Sequence, residues 1–512
     1  HLSSVLPLRA EEDDEFDEWE SPQSRPKGDK AKLGSSRNSR FLKGSMVDAQ
    51  ENMRLDISIP RSPSEIISTG GVAMPITSEL QIFDPKKEKF PGKWPVYRMM
   101  DETGLFRNPI DDGYHEMRPS TTHRSEHLET YPNDVLQPIR HRLQQELPHF
   151  AEQFSSLPLL RSAKYDYADT CSTDTLMRAH RQMTRLREMD AILLNAQRQG
   201  RLSFYATCRG EEAIHIGSAA ALDLGDVVSA QYREAGLLMW RGFTLEQFTN
   251  QCVANNLDLG KGRQMPIHYG SRALNYQTIS SPLGTQLPQA VGVGYRLKIE
   301  TKPNVAVVFF GDGAASTTDF HSACNFAATL KAPVIFFCRN NGYAISTPVT
   351  EQYAGDGIVC RAPGYGMAGL RVDGNDVFAV NAAMKAARDY ALENSAPILV
   401  EAITYRQGHH STSDDSSRYR DVQEVEDQAS HQDPLKRLDS FLIHQGLLSE
   451  TEKIQIRAEE KIAVLQALEA AEELPPPSLN ELFEDVYVEK PPSLVEQEAS
   501  LLAHIAKYPA NY

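Results

Sequence analysis

The chain has 512 residues, 40% of them hydrophobic, with 53 Lys and Arg against 69 Asp and Glu, a formal net charge of −16. That length carries a large core, and the acidic balance argues against a nucleic-acid partner while suiting a soluble protein in a large assembly. No apolar run approaches the roughly 18 residues of a membrane span, and Cys171, Cys208, Cys252, Cys324, Cys338 and Cys360, dispersed and without a CxxC, read as free thiols of a reducing compartment.

Residues 1–75 are expected to be disordered, a remnant of a targeting region. Glu11 to Glu20 is an acidic block, and Pro22 to Ser45 is basic, rich in Ser and Gly and almost without large apolar residues. A start at His1 instead of Met points to a truncated or misassigned start, and an acidic block is the wrong chemistry for an Arg-rich presequence. Residues 76–110 read as an N-terminal arm. Residues 111–172 read as an insertion, with disorder expected apart from an amphipathic helix over 138–154, and no motif there carries chemistry.

Residues 173–423 carry the strand and helix punctuation of one α/β domain, a mainly parallel sheet with helices on both faces. Its most informative stretch is NVAVVFFGDGAASTTDFHSACNFAATLKAPVIFFCRNN, from Asn304 to Asn341. Val305 to Phe310 is a continuous apolar run, as expected of a strand buried on both faces. Gly313 and Ala314 are expected to open a helix running to about Leu330, with small residues letting phosphate oxygens approach backbone N–H groups. Asp312 beside a diphosphate is repulsive unless a divalent cation lies between them, which implies Mg²⁺. Pro333 to Cys338 is the next strand and delivers Asn340 and Asn341 to the same sheet edge. An ordinary βαβ unit whose turn Asp caps a helix explains the same letters. Gly355-Asp356-Gly357 repeats the tripeptide with no buried strand before it and reads as a turn.

Residues 424–512 read as helical. Leu435, Leu438 and Leu442, then Ile456, Ile462 and Leu465, mark apolar faces, Pro475 to Pro477 ends the run, and a last helix spans Leu494 to Lys507.

Gly-Asp-Gly followed 29 residues after its Asp by the second Asn of a pair resembles the thiamine-diphosphate fingerprint of 2-oxoacid decarboxylating enzymes. From Ser172 to Tyr512 the chain resembles the alpha subunits of mitochondrial branched-chain 2-oxoacid dehydrogenases, through RQGRLSFY, GSAAALDLGD, QYREAG, GKGRQMPIHYG, ISSPLGTQLPQAVG, RNNGYAISTPVTEQY, RVDGNDVFAV and TYRQGHHSTSDDSSRYR. The related pyruvate dehydrogenase alpha subunits differ at Arg339, at Gln264-Met265-Pro266 and at His410 to Asp415. Ile76 to Asn108 also resembles the family's N-terminal arm, which would lie across a partner subunit. Asp111 to Cys171 departs from the family, as do Gln428, where an aromatic residue is usual, and Thr317-Thr318.

The resemblance implies a thiamine-diphosphate-binding fold in which Asp312, Asn341 and the Tyr343 carbonyl hold Mg²⁺ and Gly313 and Ala314 offer N–H groups to the diphosphate. Tyr232, Arg233, Arg339 and His410 would grip the diphosphate, as forked guanidiniums do. Arg233 paired with Glu234 on a surface is the plain alternative. Ser281, Leu283 and Ile345 would surround the aminopyrimidine and thiazolium, and Ser280, Pro282, Thr285 and Gln286 would bind K⁺; a Ser-Ser-Pro loop before a helix N-cap accounts for the latter equally. His410 is the candidate acid/base or phosphate-orienting group, because imidazole titrates in the working range; Ser281 is the second catalytic candidate. His409 reads as structural, and the adjacent pair makes a poor zinc site.

The implied reaction is oxidative decarboxylation of branched-chain 2-oxoacids with acyl transfer to a lipoyl carrier. The glutamate that polarises the aminopyrimidine resides on the family's beta subunit, so an α₂β₂ assembly is expected, docked on a lipoyl-bearing acyltransferase core in the mitochondrial matrix. The loop Gly408 to Arg420 is polar, so its ordering is expected to depend on ligand. A kinase phosphorylates the position of Ser411 in animal relatives, with a phosphatase opposing it, while Asp421 stands where a second phosphorylated Ser lies. A non-catalytic relative of the fold predicts damaged ligand positions, yet Asp312, Asn341, Arg233, Arg339 and His410 are intact. A nicotinamide-dependent oxidoreductase would need a G-x-G-x-x-G between a strand and a helix with an acidic residue about 20 positions on, and no stretch reads that way.

Overall fold

The computed structural model describes residues 66–69, 72–78, 80–85, 94–105 and 172–511. The expectations for 1–65, for 106–171 and for the helix over 138–154 lie outside the described residues. The strands there are β1 (Ile66–Thr69), β2 (Val72–Thr77), β3 (Val96–Tyr97), β4 (Val227–Ser229), β5 (Tyr276–Gln277), β6 (Ala306–Gly311), β7 (Val334–Asn340), β8 (Tyr343–Ala344), β9 (Thr347–Pro348), β10 (Ala368–Asp373) and β11 (Ile398–Ile403). Nine of them form one sheet in the order β1-β2-β3-β10-β11-β7-β6-β4-β5, parallel throughout except for the β1–β2 pair.

The helices are α1 (Thr173–Arg198), α2 (Glu212–Ala220), α3 (Ala235–Trp240), α4 (Leu245–Val253), α5 (Gln286–Ile299), α6 (Thr318–Leu330), α7 (Val349–Gln352), α8 (Val377–Asn394), α9 (Val422–His431), α10 (Pro434–His444), α11 (Glu450–Glu472) and α12 (Pro492–Lys507). The strand alternation explains why the apolar runs are unbroken. Val307, Phe309, Ile335, Phe337 and Val400 face one core with α1, α2, α8 and α10. Val308, Phe310, Val334, Phe336 and Leu399 face the other, with α5 and α6. Both faces are covered, so neither needs polar residues.

Parallel strands end on one edge, and that edge collects the chemistry. Gly311 pairs with Arg339, and Ile403 with Asn340, so Asp312, Asn341 and the chain after Ile403 emerge side by side.

Three expectations change, and that of an N-terminal arm gains detail. Disorder through residue 75 fails at Ile66–Thr69 and Val72–Thr77, which pair as an antiparallel ribbon from Ile66 opposite Pro75 to Thr69 opposite Val72, with Met74 buried on it. The described part of the arm joins its own chain's sheet: Thr77 and Val372 both pair with Tyr97, and the Trp94 N–H donates to Asp356 Oδ2 at 2.7 Å. Asp356 therefore does more than turn the chain, since Arg371 Nη1 also reaches its Oδ1 at 3.2 Å. The helix expected from Gly313 is broken. Ala314–Ser316 is a tight 3₁₀ turn, and α6 starts at Thr318 because Thr317, extended at ψ 154, accepts from the Phe320 N–H as N-cap.

The C-terminal faces shift as well. Leu435, Leu438 and Leu442 are buried as expected, but Ile462 is 55% exposed and Leu465 38%, while Val464, Ala467, Leu468 and Ala471 form the inward stripe. Contact with α1 and α4 selects that stripe, and Glu460 is drawn inward with it by Arg185. Cys208, Cys252, Cys324, Cys338 and Cys360 are free thiols.

Candidate active site

Gln231 pins the glycine turn after β6. Its Oε1 accepts from the Gly311 N–H at 2.8 Å and faces Arg339 Nη2 at 3.4 Å. Asp312, 1% exposed, follows, and its Oδ2 accepts from Gln352 Nε2 at 2.7 Å. Burial pushes its carboxyl up to about 6, against the smaller downward pull of the Gln352 amide and the Arg406 charge. From the next strand end, Asn341 Nδ2 donates to Glu211 Oε1 at 2.9 Å and its Oδ1 accepts from the Tyr343 N–H at 3.3 Å. Tyr343 itself sits in the small β8–β9 ribbon with its phenol 3.3 Å from Glu424. The turn's own bonds begin at the Ala315 N–H, which donates to the Asp312 carbonyl, and a Cβ on Gly313 would come within 2.8 Å of Ala344 Cβ. The approach to this turn is therefore open only to a residue without a side chain.

Three guanidiniums surround the turn. Arg339, 2% exposed, donates to Glu211 Oε2 at 2.6 Å and to Glu234 Oε1. Burial alone would raise the Glu211 carboxyl, but Arg339 and Arg233 outweigh it and hold it below the ordinary range. One guanidinium does not serve both acids equally: burial leaves Glu234 raised, and its Oε2 is buried without a partner. Arg233 donates to the Thr207 and His410 carbonyls and lies 3.2 Å from His410 Nδ1. Arg406 Nη1 approaches the same nitrogen at 3.3 Å, and its Nη2 donates to the Ile345 carbonyl at 2.8 Å.

Of the two roles expected of His410, acid/base or phosphate-orienting, its surroundings here favour the second. Burial first, then Arg233 and Arg406, push its ring down to about 3. Guanidiniums only donate, so Nδ1 is the acceptor and the proton sits on Nε2, 3.5 Å from the Tyr232 hydroxyl. In this arrangement it does not titrate in the working range; it is a neutral donor aimed past Tyr232. The loop carrying it is also more built than expected. The His410 N–H donates to Asp414 Oδ2 at 2.7 Å, the Tyr419 hydroxyl to the same oxygen at 2.6 Å, and Arg420 Nη2 to the Gly408 carbonyl at 2.7 Å. Asp414 and Arg420 supply the internal frame that a polar composition hides. His409 Nδ1 accepts from the Ser416 N–H at 3.0 Å, a structural contact, and Ser411, half-buried, faces Ser413 Oγ at 3.2 Å. Asp421 caps α9 through the Gln423 N–H at 2.8 Å. Behind the loop lies a cavity of about 570 Å³ bordered by Asp190, Thr207, Gly408 and His409.

The apolar candidates sit open on this side: Leu283 is 46% exposed and Ile345 52%, the latter in the left-handed region at φ 57. Ser281 Oγ lies 2.7 Å from His268 Nε2. The oxygens of Ser280, Pro282 and Thr285 converge, with Thr285 Oγ1 donating at 3.1 Å to Ser280 Oγ or at 3.0 Å to the Pro282 carbonyl, whereas Gln286 Nε2 donates to the Phe309 carbonyl at 3.1 Å.

Sequence reasoning missed Glu211, Gln231, Gln352, Arg406 and His268. Arg406 was within reach, lying four residues before His410 in a polar loop. The donor set fits a metal-bound diphosphate: a buried carboxylate beside an amide at adjacent strand ends, a glycine turn and a cluster of guanidiniums.

The dehydrogenase E1 component family model matches residues 180–480. A Dictyostelium discoideum protein named 2-oxoisovalerate dehydrogenase subunit alpha, mitochondrial, is 53% identical over 351 residues, covering 68% of this chain and 80% of the relative. The Homo sapiens protein of that name is 53% identical over 339 residues, covering 66% and 76%. An Arabidopsis thaliana relative, 2-oxoisovalerate dehydrogenase subunit alpha 1, mitochondrial, is 52% identical over 336 residues, covering 66% and 71%.

Proposed function

Because this chain belongs to the dehydrogenase E1 component family, we propose that it is the alpha-type subunit of a thiamine-diphosphate-dependent enzyme that oxidatively decarboxylates branched-chain 2-oxoacids and passes the acyl group to a lipoyl carrier. The observation that carries the reading is the register of β6 on β7, which sets Asp312 and Asn341 at neighbouring strand ends among Arg233, Arg339 and Arg406. Relatives at 52–53% identity named for 2-oxoisovalerate favour branched-chain substrates over pyruvate.

Bound thiamine diphosphate supplies a nucleophilic carbon and an electron sink. On this chain, Asp312, Asn341 and the Tyr343 carbonyl would hold Mg²⁺, and Gly313 and Ala314 would offer backbone N–H groups to the diphosphate. Arg233 and Arg406 can turn from carbonyl and imidazole acceptors to an anion at little cost, since a charge-assisted bond is the stronger one. Arg339 is committed to Glu211 and Glu234 and acts chiefly by its charge. Tyr232 and His410 present an O–H and an N–H to the same region, Leu283 and Ile345 give apolar contact to the rings, and Ser280, Pro282 and Thr285, with Gln286 beside them, would hold K⁺.

The alpha-type role implies a beta subunit, which would supply the missing glutamate in an α₂β₂ assembly. A lipoyl-bearing acyltransferase core and a kinase and phosphatase acting on Ser411 complete the proposed partners. A phosphate on Ser411 would add nearly two negative charges near Asp414 and oppose the anionic cofactor. The relatives are named as mitochondrial, and this chain is assigned to the matrix on that basis; among the described residues no helix is long and apolar enough to cross a membrane.

Calorimetry with thiamine diphosphate and Mg²⁺, with and without the beta subunit, followed by turnover of 2-oxoisovalerate against pyruvate, tests the reading. Binding and turnover are expected only in the assembly, with preference for the branched substrate. A single chain that decarboxylates at the full rate, or a preference for pyruvate, would overturn it.

A further inference from the structure

We propose that His268 is a positioning residue that fixes the Ser281 hydroxyl as a hydrogen-bond acceptor for the bound ligand, and that Gln251 imposes the backbone shape that aims it. The proposal rests on the reading of Ser281 as a cofactor-pocket residue.

His268 is 6% exposed, so its ring answers to protein partners and not to water. Its Nδ1 lies 3.1 Å from the Pro266 carbonyl, which can only accept, so the ring proton sits on Nδ1. Nε2 is then an acceptor, 2.7 Å from Ser281 Oγ. The serine proton is consumed in that bond. Ser281, itself exposed, is left with lone pairs only, so it receives an N–H or O–H of a ligand and does not donate to one.

The backbone before His268 is held at a cost. Ile267 has φ 67, a left-handed conformation rare for a β-branched residue, and such outliers persist only where their surroundings over-determine them. Gln251, 4% exposed, supplies the constraint from α4: its Nε2 donates to the Met265 carbonyl at 2.8 Å and its Oε1 accepts from the Ile267 N–H at 2.9 Å. A two-point clamp on residues 265 and 267 fixes the peptide planes on both sides of Pro266. The imidazole that follows is thereby turned toward Ser281, 13 residues further on. Next to the clamp, Cys252 Sγ and the Tyr269 hydroxyl lie 3.4 Å apart and tie the residue after His268 to the same helix.

The test uses the assembled enzyme. His268→Phe removes the acceptor at similar size, His268→Gln keeps one near the Nε2 position, and Ser281→Ala removes the hydroxyl. The Phe and Ala variants are each expected to lower kcat by about tenfold, the scale of one positioned hydrogen bond, with KM changed by less than about twofold. The Gln variant should regain most of the loss, and the Phe/Ala double variant should cost no more than either single change. Magic-angle-spinning spectra of the ¹⁵N-histidine-labelled wild type, with the His268 signal identified by its loss in His268→Gln, should show the proton on Nδ1. That measurement needs neither cofactor nor turnover, and it stands even if the Phe variant does not fold. A proton on Nε2, or losses that multiply in the double variant, overturns the proposal while wild-type calorimetry with thiamine diphosphate leaves the pocket reading standing; no binding by the wild type removes both.

Discussion

The side-chain amide of Gln352 donates to Asp312 Oδ2 across 2.7 Å, although 40 residues separate them in the chain. The amide holds the carboxylate from α7, at the end of the segment that also carries Asn341 and Tyr343, so the metal candidates are oriented from one side. Gln352→Leu keeps the size and removes the donor. Mg²⁺ affinity of the assembled enzyme, measured by calorimetry with thiamine diphosphate present, should fall by about 10–100-fold, the usual cost of losing a group that orients a ligand. Asp312→Ala should abolish Mg²⁺-dependent cofactor retention; an unchanged affinity there would remove Asp312 from the metal site.

Arg339 stands between two buried carboxylates, Glu211 and Glu234. Arg339→Met leaves both uncompensated, and denaturant unfolding should show a loss of about 3–5 kcal/mol. A loss below about 1 kcal/mol would mean that the acids are protonated or hydrated, contrary to the depressed Glu211 carboxyl.

His410 is held neutral by burial and two guanidiniums, down to about 3 from an ordinary 6.5. The folded protein then binds fewer protons than the unfolded chain between those values, so this group costs stability as pH falls through that window. In an NMR titration of the cofactor-free assembly its ring should stay neutral to near pH 3. Thiamine diphosphate, by engaging Arg233 and Arg406, should raise the midpoint; titration near 6.5 without cofactor would contradict the arginine contacts.

Asp373 accepts from Arg98 Nε at 2.6 Å and Arg437 Nη1 at 2.8 Å, joining the N-terminal strands to α10. Burial works to raise its carboxyl, but Arg437 and Arg98 override it and hold it at about 2, against an ordinary 3.8. The stabilisation is fully present above pH 3.8 and is lost as pH falls through about 2, on the order of 2 kcal/mol. Asp373→Asn should remove that acid dependence and speed amide exchange at residues 98–100; exchange unchanged from the wild type would show that Arg98 is not the anchor.

The strands around the glycine turn were legible because their burial on both faces writes itself into Val305 to Phe310 and Pro333 to Cys338 as unbroken apolar runs. The break at Thr317 was not, since a threonine reads as well inside a helix as at its cap until the chain's direction is known. Partner choice was least legible. Glu234 looked like a surface mate for its neighbour Arg233, yet it pairs with Arg339, 105 residues away. Glu211 and Glu212 are adjacent, yet one reaches Arg339 and the other Arg187.

The sequence alone determined the β-turn-helix-β unit and the Asp312 and Asn341 candidates, because strand periodicity, glycine placement and ligand chemistry are local properties read within about thirty residues; the reaction class came from the family resemblance spread over Ser172 to Tyr512. Only the tertiary structure decided the charge state and tautomer of His410, the pairing of Arg339, the contact of Gln352 with Asp312 and the strained approach of His268 to Ser281. Each of these depends on which groups burial brings together from distant segments, and on the desolvation that comes with it, neither of which has a signature in the order of residues.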